Sequence, residues 1–465
     1  MIDRKEKEVF SPYLPFFPER KRTPFKNKTS LKGLLNKVVD PIEWITEGKY
    51  KSEGFKLFDD VGQIYELQLA KMEFSTLGED LSTFKRRTAY FEEVAGEKSD
   101  HFYLSNVKGK GQIGHSNQYL THWFYPYKGK FHGQMIKAMI NFIGAAKGDI
   151  VLDPFTGSGT TLIEASILGI KSYGIEINPA LSIVSQIKAD ALTIEYPQFS
   201  SEIRGNVLSK IFNYFQKAGH HLQAKRWQLD LNQRKNAKEL LEEAWDIHLP
   251  PSFIHKLPFK WRNLLLLIYL HALSDFTYLK GTNKQRSLEE FFMINFYEYL
   301  ETLRNTHFVL HKLNIQPEPP TIFLASALEL PIEPNSVKGI ITSPPYSIAL
   351  DYVRNDLHLL NYLGIDTSSL REEMVGLKGK KSEKLQLYER DIKKSIEEMY
   401  RVLTPGGWAV VVLGDVVING GRTDFCDKII KWAPQMGFSD ACAMKRPILG
   451  GFARLRYEYI IFLQK

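Results

Sequence analysis

DIVLDPFTGSGTTLIEASILGIKSYGIEINP, residues 149–179, decides the fold. Its opening, Asp149 to Leu152, reads as a short apolar strand. Thr160 to Leu168 carries apolar residues at helical spacing and reads as a helix. Ser172 to Ile177 reads as a second strand with Glu176 at its C-terminal end. Strand, glycine turn and helix in this order form a nucleotide-binding opening in an α/β sheet. Gly157 and Gly159 permit the tight turn and let a ligand approach the backbone. Glu176 follows Asp153 by 176 − 153 = 23 residues, close to the roughly 20 expected of an acid that grips a ribose. A bare GSG is also an ordinary strand-to-helix turn, but the flanking DPF, the trailing TT and the acid on the next strand argue against that reading. Leu162 stands where a dinucleotide fingerprint wants its third glycine, which argues against NAD or FAD. No Gly-Lys-Ser/Thr follows, so the turn is not a P-loop.

A second constellation lies downstream. Val337 to Thr342 (VKGIIT) reads as a buried strand, and Ser343-Pro344-Pro345-Tyr346 follows it. Two successive prolines cannot continue the strand, so they stiffen the loop. A hydroxyl, a run of backbone carbonyls and an aromatic ring are thereby held at one point. That set suits a planar heterocycle with an exocyclic amino group: the ring stacks on its face and the acceptors take the amino hydrogens.

Together the two constellations resemble the S-adenosylmethionine-dependent DNA methyltransferases that act on exocyclic amino groups. DPFTGSGTT is similar to the family's cofactor motif and SPPY to its catalytic motif. Thr121 to Ile136 (THWFYPYKGKFHGQMI) is similar to the segment that closes over the methionine end of the cofactor, and Tyr173 to Pro179 to the ribose-binding strand end. Asp351-Tyr352, the turn Leu403 to Gly407 and the closing strand Tyr457 to Leu463 also fit, so the resemblance covers roughly 116–195 and 317–465. It implies a Rossmann-like, doubly wound sheet with an antiparallel edge strand and a mainly helical insert. It implies S-adenosylmethionine held by Asp153, Pro154, Phe155, Gly157, Gly159 and Thr160, with Glu176 on the ribose and Ser326 beside the adenine. Relatives usually carry an Asp where this chain has Ser326, which brings no charge. Catalysis falls to Ser343, Pro344, Pro345 and Tyr346. The Ser343 hydroxyl and Pro344 carbonyl would draw the amino hydrogens out of the ring plane. Tyr346 would stack on an extruded base, since a paired amino group is inaccessible.

In the family that the chain resembles, the serine form of the tetrapeptide goes more often with cytosine N4 and the Asp or Asn form with adenine N6, so the resemblance implies cytosine N4 with adenine N6 as the alternative. Carbon methylation of cytosine is disfavoured, because neither Cys426 nor Cys442 follows a proline. An RNA amino-methyltransferase and a non-catalytic DNA-binding relative remain as alternatives. The resemblance implies double-stranded DNA as partner and a restriction-modification setting, in which a cognate restriction endonuclease would be a further partner.

Composition agrees. The 465 residues can bury a large core in more than one domain. A net charge of +8 suits a phosphate-bearing partner. Two cysteines give neither a metal-ligand pair nor a disulfide framework, and no metal is expected. No signal peptide is evident, and the longest apolar run, Leu264 to Leu270, is too short for a bilayer, so a soluble cytoplasmic protein is the expectation. The sequence divides into an N-terminal basic and aromatic region (1–115), a first catalytic part (116–195), a helical insert that is a candidate target-recognition region (196–316) and a second catalytic part (317–465). The stretch of Gly376 to Lys384 (GLKGKKSEK) reads as a basic surface loop, whose Lys378, Lys380 and Lys381 are candidate phosphate contacts. The case depends on the glycine turn and SPPY opening into one cleft.

Overall fold

The structure is a computed structural model, and it describes residues 54–107, 118–127, 129–224, 234–279, 286–346, 351–380, 382–414, 416–418, 421–447 and 457–465. The first 53 residues of the N-terminal basic and aromatic region, and Lys381, lie outside the described residues.

The centre is a seven-stranded sheet. Its strands, numbered in chain order, are β1 Ile150–Asp153, β2 Lys171–Glu176, β3 Thr321–Leu324, β4 Val337–Thr342, β5 Leu403–Gly414, β6 Asp440–Pro447 and β7 Tyr457–Gln464. They lie side by side in the order β3-β2-β1-β4-β5-β7-β6. The first four pairings are parallel, with Leu152 opposite both Tyr173 and Ile340. β7 enters antiparallel between β5 and β6, with Ile461 opposite Val411. This is the Rossmann-like, doubly wound architecture with an antiparallel edge that the sequence implied.

Alternation along the strands builds both faces. Val410, Val412, Ile341 and Phe462 turn toward Met135, Ile136, Met139 and Ile140 of the Gly133–Ile143 helix. Val411, Leu413, Ile340 and Ile461 turn the other way, toward Ile392, Ile396 and Met399 of the Lys384–Val402 helix and Ile429 of the Phe425–Met436 helix.

The N-terminal residues add a small unit to the first face. Short strands Lys56–Leu57, Phe91–Val94 and Glu97–Lys98 pair, and the Ile64–Leu77 helix packs on Gly133–Ile143. Ala95 and Gly96 turn the hairpin with φ of 52° and 80°, the positive-φ pair that a tight hairpin prefers. Asp100–Ser105 is a short helix, which Ser99 caps by accepting from Phe102 N.

The helical insert separates β2 from β3 although these strands are neighbours in the sheet. Its long helices are Asn206–Ala224, Phe259–Leu279 and Leu288–Lys312. They bury Leu208, Ile211, Phe215, Leu264, Leu265, Ile268, Phe292, Phe296 and Tyr299 in one apolar cluster. The chain beyond SPPY, which reads as a long polar loop, is also helical in part: Tyr352–Asn355, Leu357–Tyr362 and Thr367–Glu373. Asp351 and Asp366 cap two of these helices. Leu359, Leu360, Leu370 and Met374 then join the insert's core, which explains why this segment is ordered against it. Among the described residues, no helix is long and apolar enough to cross a membrane.

Candidate active site

The turn after β1 is fastened on every side. Asp153 Oδ1 accepts from Phe155 N at 3.1 Å, and Thr156 Oγ1 donates to the Asp153 carbonyl at 3.0 Å. Gly157 and Gly159 take φ of 53° and 82°, which L side chains rarely adopt. The Pro179–Asp190 helix holds the turn from behind: Ser185 donates to the Gly157 carbonyl at 2.6 Å and buried Lys188 to the Ser158 carbonyl at 2.8 Å. A Cβ on Gly159 would stand 3.0 Å from Ser185 Cβ, so glycine is required for this approach. The N-terminus of the Thr160–Ile167 helix, with its partial positive charge, follows directly.

Glu176 ends β2 facing the turn. Its carboxylate accepts from Gly157 N at 2.8 Å and Asn178 N at 2.9 Å. Burial nevertheless raises its carboxyl to about 7. Ser326 follows β3, and its hydroxyl accepts from Leu328 N at 3.2 Å.

SPPY follows β4, the direct neighbour of β1. Thr342, the last residue of that strand, donates from Oγ1 to Asp153 Oδ1 at 2.7 Å. This buried bond ties the two motifs together. Burial pushes the Asp153 carboxyl up to about 6, against the opposing hydrogen bonds of Thr342, Thr161 and Phe155. Tyr346 donates its hydroxyl to Glu458 Oε1 on β7 at 2.9 Å. Arg446, opposite Glu458 on β6, donates to its other oxygen at 2.6 Å. Burial and the neighbouring Glu458 keep the Tyr346 phenol protonated, well above its ordinary range.

The segment before the Gly133–Ile143 helix forms one wall. Tyr127 lies over Gly157, 3.3 Å from the place a Cβ would occupy. Lys130 donates to the carbonyls of His122 at 3.0 Å and Tyr125 at 2.7 Å, and burial lowers it to about 7. Tyr125 takes φ of 63° to make this strap.

One cleft results, enclosing about 1120 Å³ with the open solvent at its mouth included. Pro154, Phe155, Gly157, Thr160, Glu176, Ser326, Ser343, Pro345 and Tyr346 all line it. Asp153, Gly159 and Pro344 are buried and adjoin lining residues in sequence. Sequence reading did not single out Tyr127, Lys130, Arg446 and Glu458, which also line the cleft, as does Tyr352 of the Asp351-Tyr352 pair. The first two lie inside the segment Thr121 to Ile136, whereas nothing local marks Arg446 or Glu458. Lys378 and Lys380 do not line the cleft. Lys378 is turned inward, 3.3 Å from buried Asp391 on the Lys384–Val402 helix.

The cleft can hold a ligand with one polyhydroxylated part and one flat part. The acceptor at Glu176 suits hydroxyls, and the positive-φ glycine turn lets a ligand approach its backbone. These features fit S-adenosylmethionine, with Ser343 and Tyr346 lining the same cleft.

Residues 16–186 match a family model described as DNA methylase. The Type II methyltransferase M.BsoBI of Geobacillus stearothermophilus is 27% identical over 295 residues, 55% of this chain and 55% of that protein. The Type II methyltransferase M.MjaII of Methanocaldococcus jannaschii is 39% identical over 75 residues, 16% of this chain and 14% of that protein. A tRNA (guanine(10)-N2)-dimethyltransferase of the same archaeon is 36% identical over 80 residues, 17% of this chain and 22% of that protein. The chain thus spans about half the length of the first of these relatives and less of the others.

Proposed function

We propose that the chain is a site-specific DNA methyltransferase acting on the exocyclic N4 of a flipped cytosine, a reading supported by the match of residues 16–186 to the DNA methylase family model. S-adenosylmethionine, when bound, supplies a methyl group activated by a sulfonium. Glu176 accepts hydrogen bonds from the ribose hydroxyls, the turn from Pro154 to Thr160 frames the methionine portion, and Ser326 stands at the adenine. Tyr346, its hydroxyl anchored on Glu458, presents a fixed ring for the base, a contact of about 1–3 kcal/mol in stacking sites. The Ser343 hydroxyl and Pro344 carbonyl accept the two amino hydrogens and turn the nitrogen lone pair out of conjugation. Proximity and orientation then carry most of the displacement, on the order of 7–11 kcal/mol at best. The single observation that supports this reading most is the shared cleft, bolted by the Thr342–Asp153 bond.

The serine in SPPY supports cytosine N4 over adenine N6, and Type II methyltransferase relatives support a restriction-modification setting with a cognate endonuclease. The helical insert between β2 and β3 serves as the target-recognition region in this reading. A second reading, transfer to an RNA amino group, draws on the likeness to the tRNA dimethyltransferases. Sequencing chromosomal DNA from cells expressing the protein, with N4-methylcytosine and N6-methyladenine both detected, tests the assignment. N4-methylcytosine at one sequence motif, lost in Ser343→Ala, is the expected result. Methylation of adenine alone moves the target, and methylated tRNA with unmodified DNA overturns the proposal.

A further inference from the structure

Three ligating side chains meet where the helical insert leaves the sheet and where it returns. Glu195 stands at the N-cap of the Tyr196–Glu202 helix, but its carboxylate makes no capping bond. His307 and His311 lie one turn apart near the C-terminal end of the Leu288–Lys312 helix. Their rings are 4.4 Å apart between centroids, inclined at 59°. His307 Nδ1 is 3.5 Å from Glu195 Oε2. One ligand atom from each of the three lies within 4.8 Å of the others. We propose that Glu195, His307 and His311 bind a divalent cation of the zinc, cobalt and nickel class, which clips the two ends of the insert together.

The donor set selects the ion. Two imidazoles and one carboxylate suit zinc-like cations, whereas calcium and magnesium want all-oxygen cages. Ligand atoms about 2.0–2.2 Å from a tetrahedral ion stand roughly 3.3 Å apart. The His307–Glu195 pair is already near that spacing. The longer edge closes by side-chain rotation, because His311 is exposed and Glu195 is 57% exposed. His307, at 14% exposure, is the fixed point. Spacing of i and i+4 puts both imidazoles on one helix face, where a single ion can reach them. Solvent completes the coordination at this surface.

The placement gives the ion its role. Glu195 and His307 are 307 − 195 = 112 residues apart, and clips that close long segments have the largest entropic reach. None of the three residues lines the active-site cleft. The ion is therefore structural: it ties the two ends of the insert to each other and takes no part in transfer. The sequence alone gave no hint of it, since Glu195 is remote in sequence from the histidine pair.

The test uses the full chain without an affinity tag, stripped with a chelator and dialysed. Co²⁺ is titrated and read by its visible d–d absorption, then displaced by Zn²⁺ in a calorimeter. The expected result is one ion per chain, a rise in melting temperature with metal, and weaker binding in His311→Gln and Glu195→Gln. Loss of a direct ligand should cost at least the roughly 10–100-fold that loss of an outer partner costs. Both positions are exposed, so the variants should fold, and circular dichroism checks this. No visible band and no heat at about millimolar metal would overturn the proposal, as would binding of equal strength in both variants.

Discussion

Replacing Thr342 with valine keeps the shape of a fully buried side chain and deletes one hydrogen bond, the 2.7 Å contact to Asp153 Oδ1. The bond serves a carboxylate that is itself 1% exposed, so water cannot replace it. Hydrogen bonds to charged groups contribute about 1.5–3 kcal/mol, and neutral ones about 0.5–1.5 kcal/mol. Which range applies depends on pH, because burial raises the Asp153 carboxyl to about 6. A carboxyl raised on folding binds its proton more tightly when folded. Its stabilising contribution is complete below the ordinary carboxylate range and is lost as pH rises through about 6. Thr342→Val removes a group that favours the ionised form, so it raises the carboxyl further. The destabilisation should therefore be about 1.5–3 kcal/mol near pH 8 and fall toward about 1 kcal/mol near pH 5. Urea unfolding followed by tryptophan fluorescence at the two pH values measures it. Equal losses at both pH values, or no loss near pH 8, would refute the argument that this bond offsets the burial of a charge.

Gly174 on β2 admits no side chain, since a Cβ would lie 2.5 Å from Thr156 Oγ1 and 2.8 Å from Leu162 Cδ1. Gly174→Ala should cost about 1–3 kcal/mol and displace the turn, so calorimetry should also show weaker S-adenosylmethionine binding; unchanged stability would contradict the packing. Glu176 is raised to about 7 by burial, so its carboxylate forms fully only above that pH. The affinity advantage of wild type over Glu176→Gln should grow as pH rises through about 7, and a ratio independent of pH would remove the ribose role. Lys378→Ala should lower stability by leaving Asp391 with one cation fewer, whereas Lys380→Ala should instead flatten the salt dependence of DNA binding. Identical behaviour of the two variants would mean that the ion pair has no consequence.

What could be read in advance was local chemistry. Glycines 157 and 159, the double proline and the acid after β2 each constrain their own few residues, and the folded chain keeps those constraints. What escaped depends on register and distant pairing. Tyr346 and Glu458 are 112 residues apart, and they meet only because β7 inserts antiparallel beside β5. Thr342 and Asp153 are 189 residues apart and meet only because β4 lies beside β1. The helix Asn206–Ala224 buries Leu208, Ile211 and Phe215 in the insert's core and leaves Lys210 and Lys217 exposed, but the partners that cover its apolar line come from remote segments. Lys378 looked solvated because Asp391, its partner, belongs to the next helix.

The strand order has a consequence for how the chain folds in time. Val151 pairs with Gly339 across 339 − 151 = 188 residues, and Glu176 pairs with Leu324 across 324 − 176 = 148. Pairings of such high contact order form slowly, after helices whose contacts are nearby in sequence. The middle of the sheet should zip last, and the cleft exists only at the ends of those strands. A nascent or partly denatured chain would then hold its helices yet bind nothing, so ligand capture would report completion of folding rather than its onset.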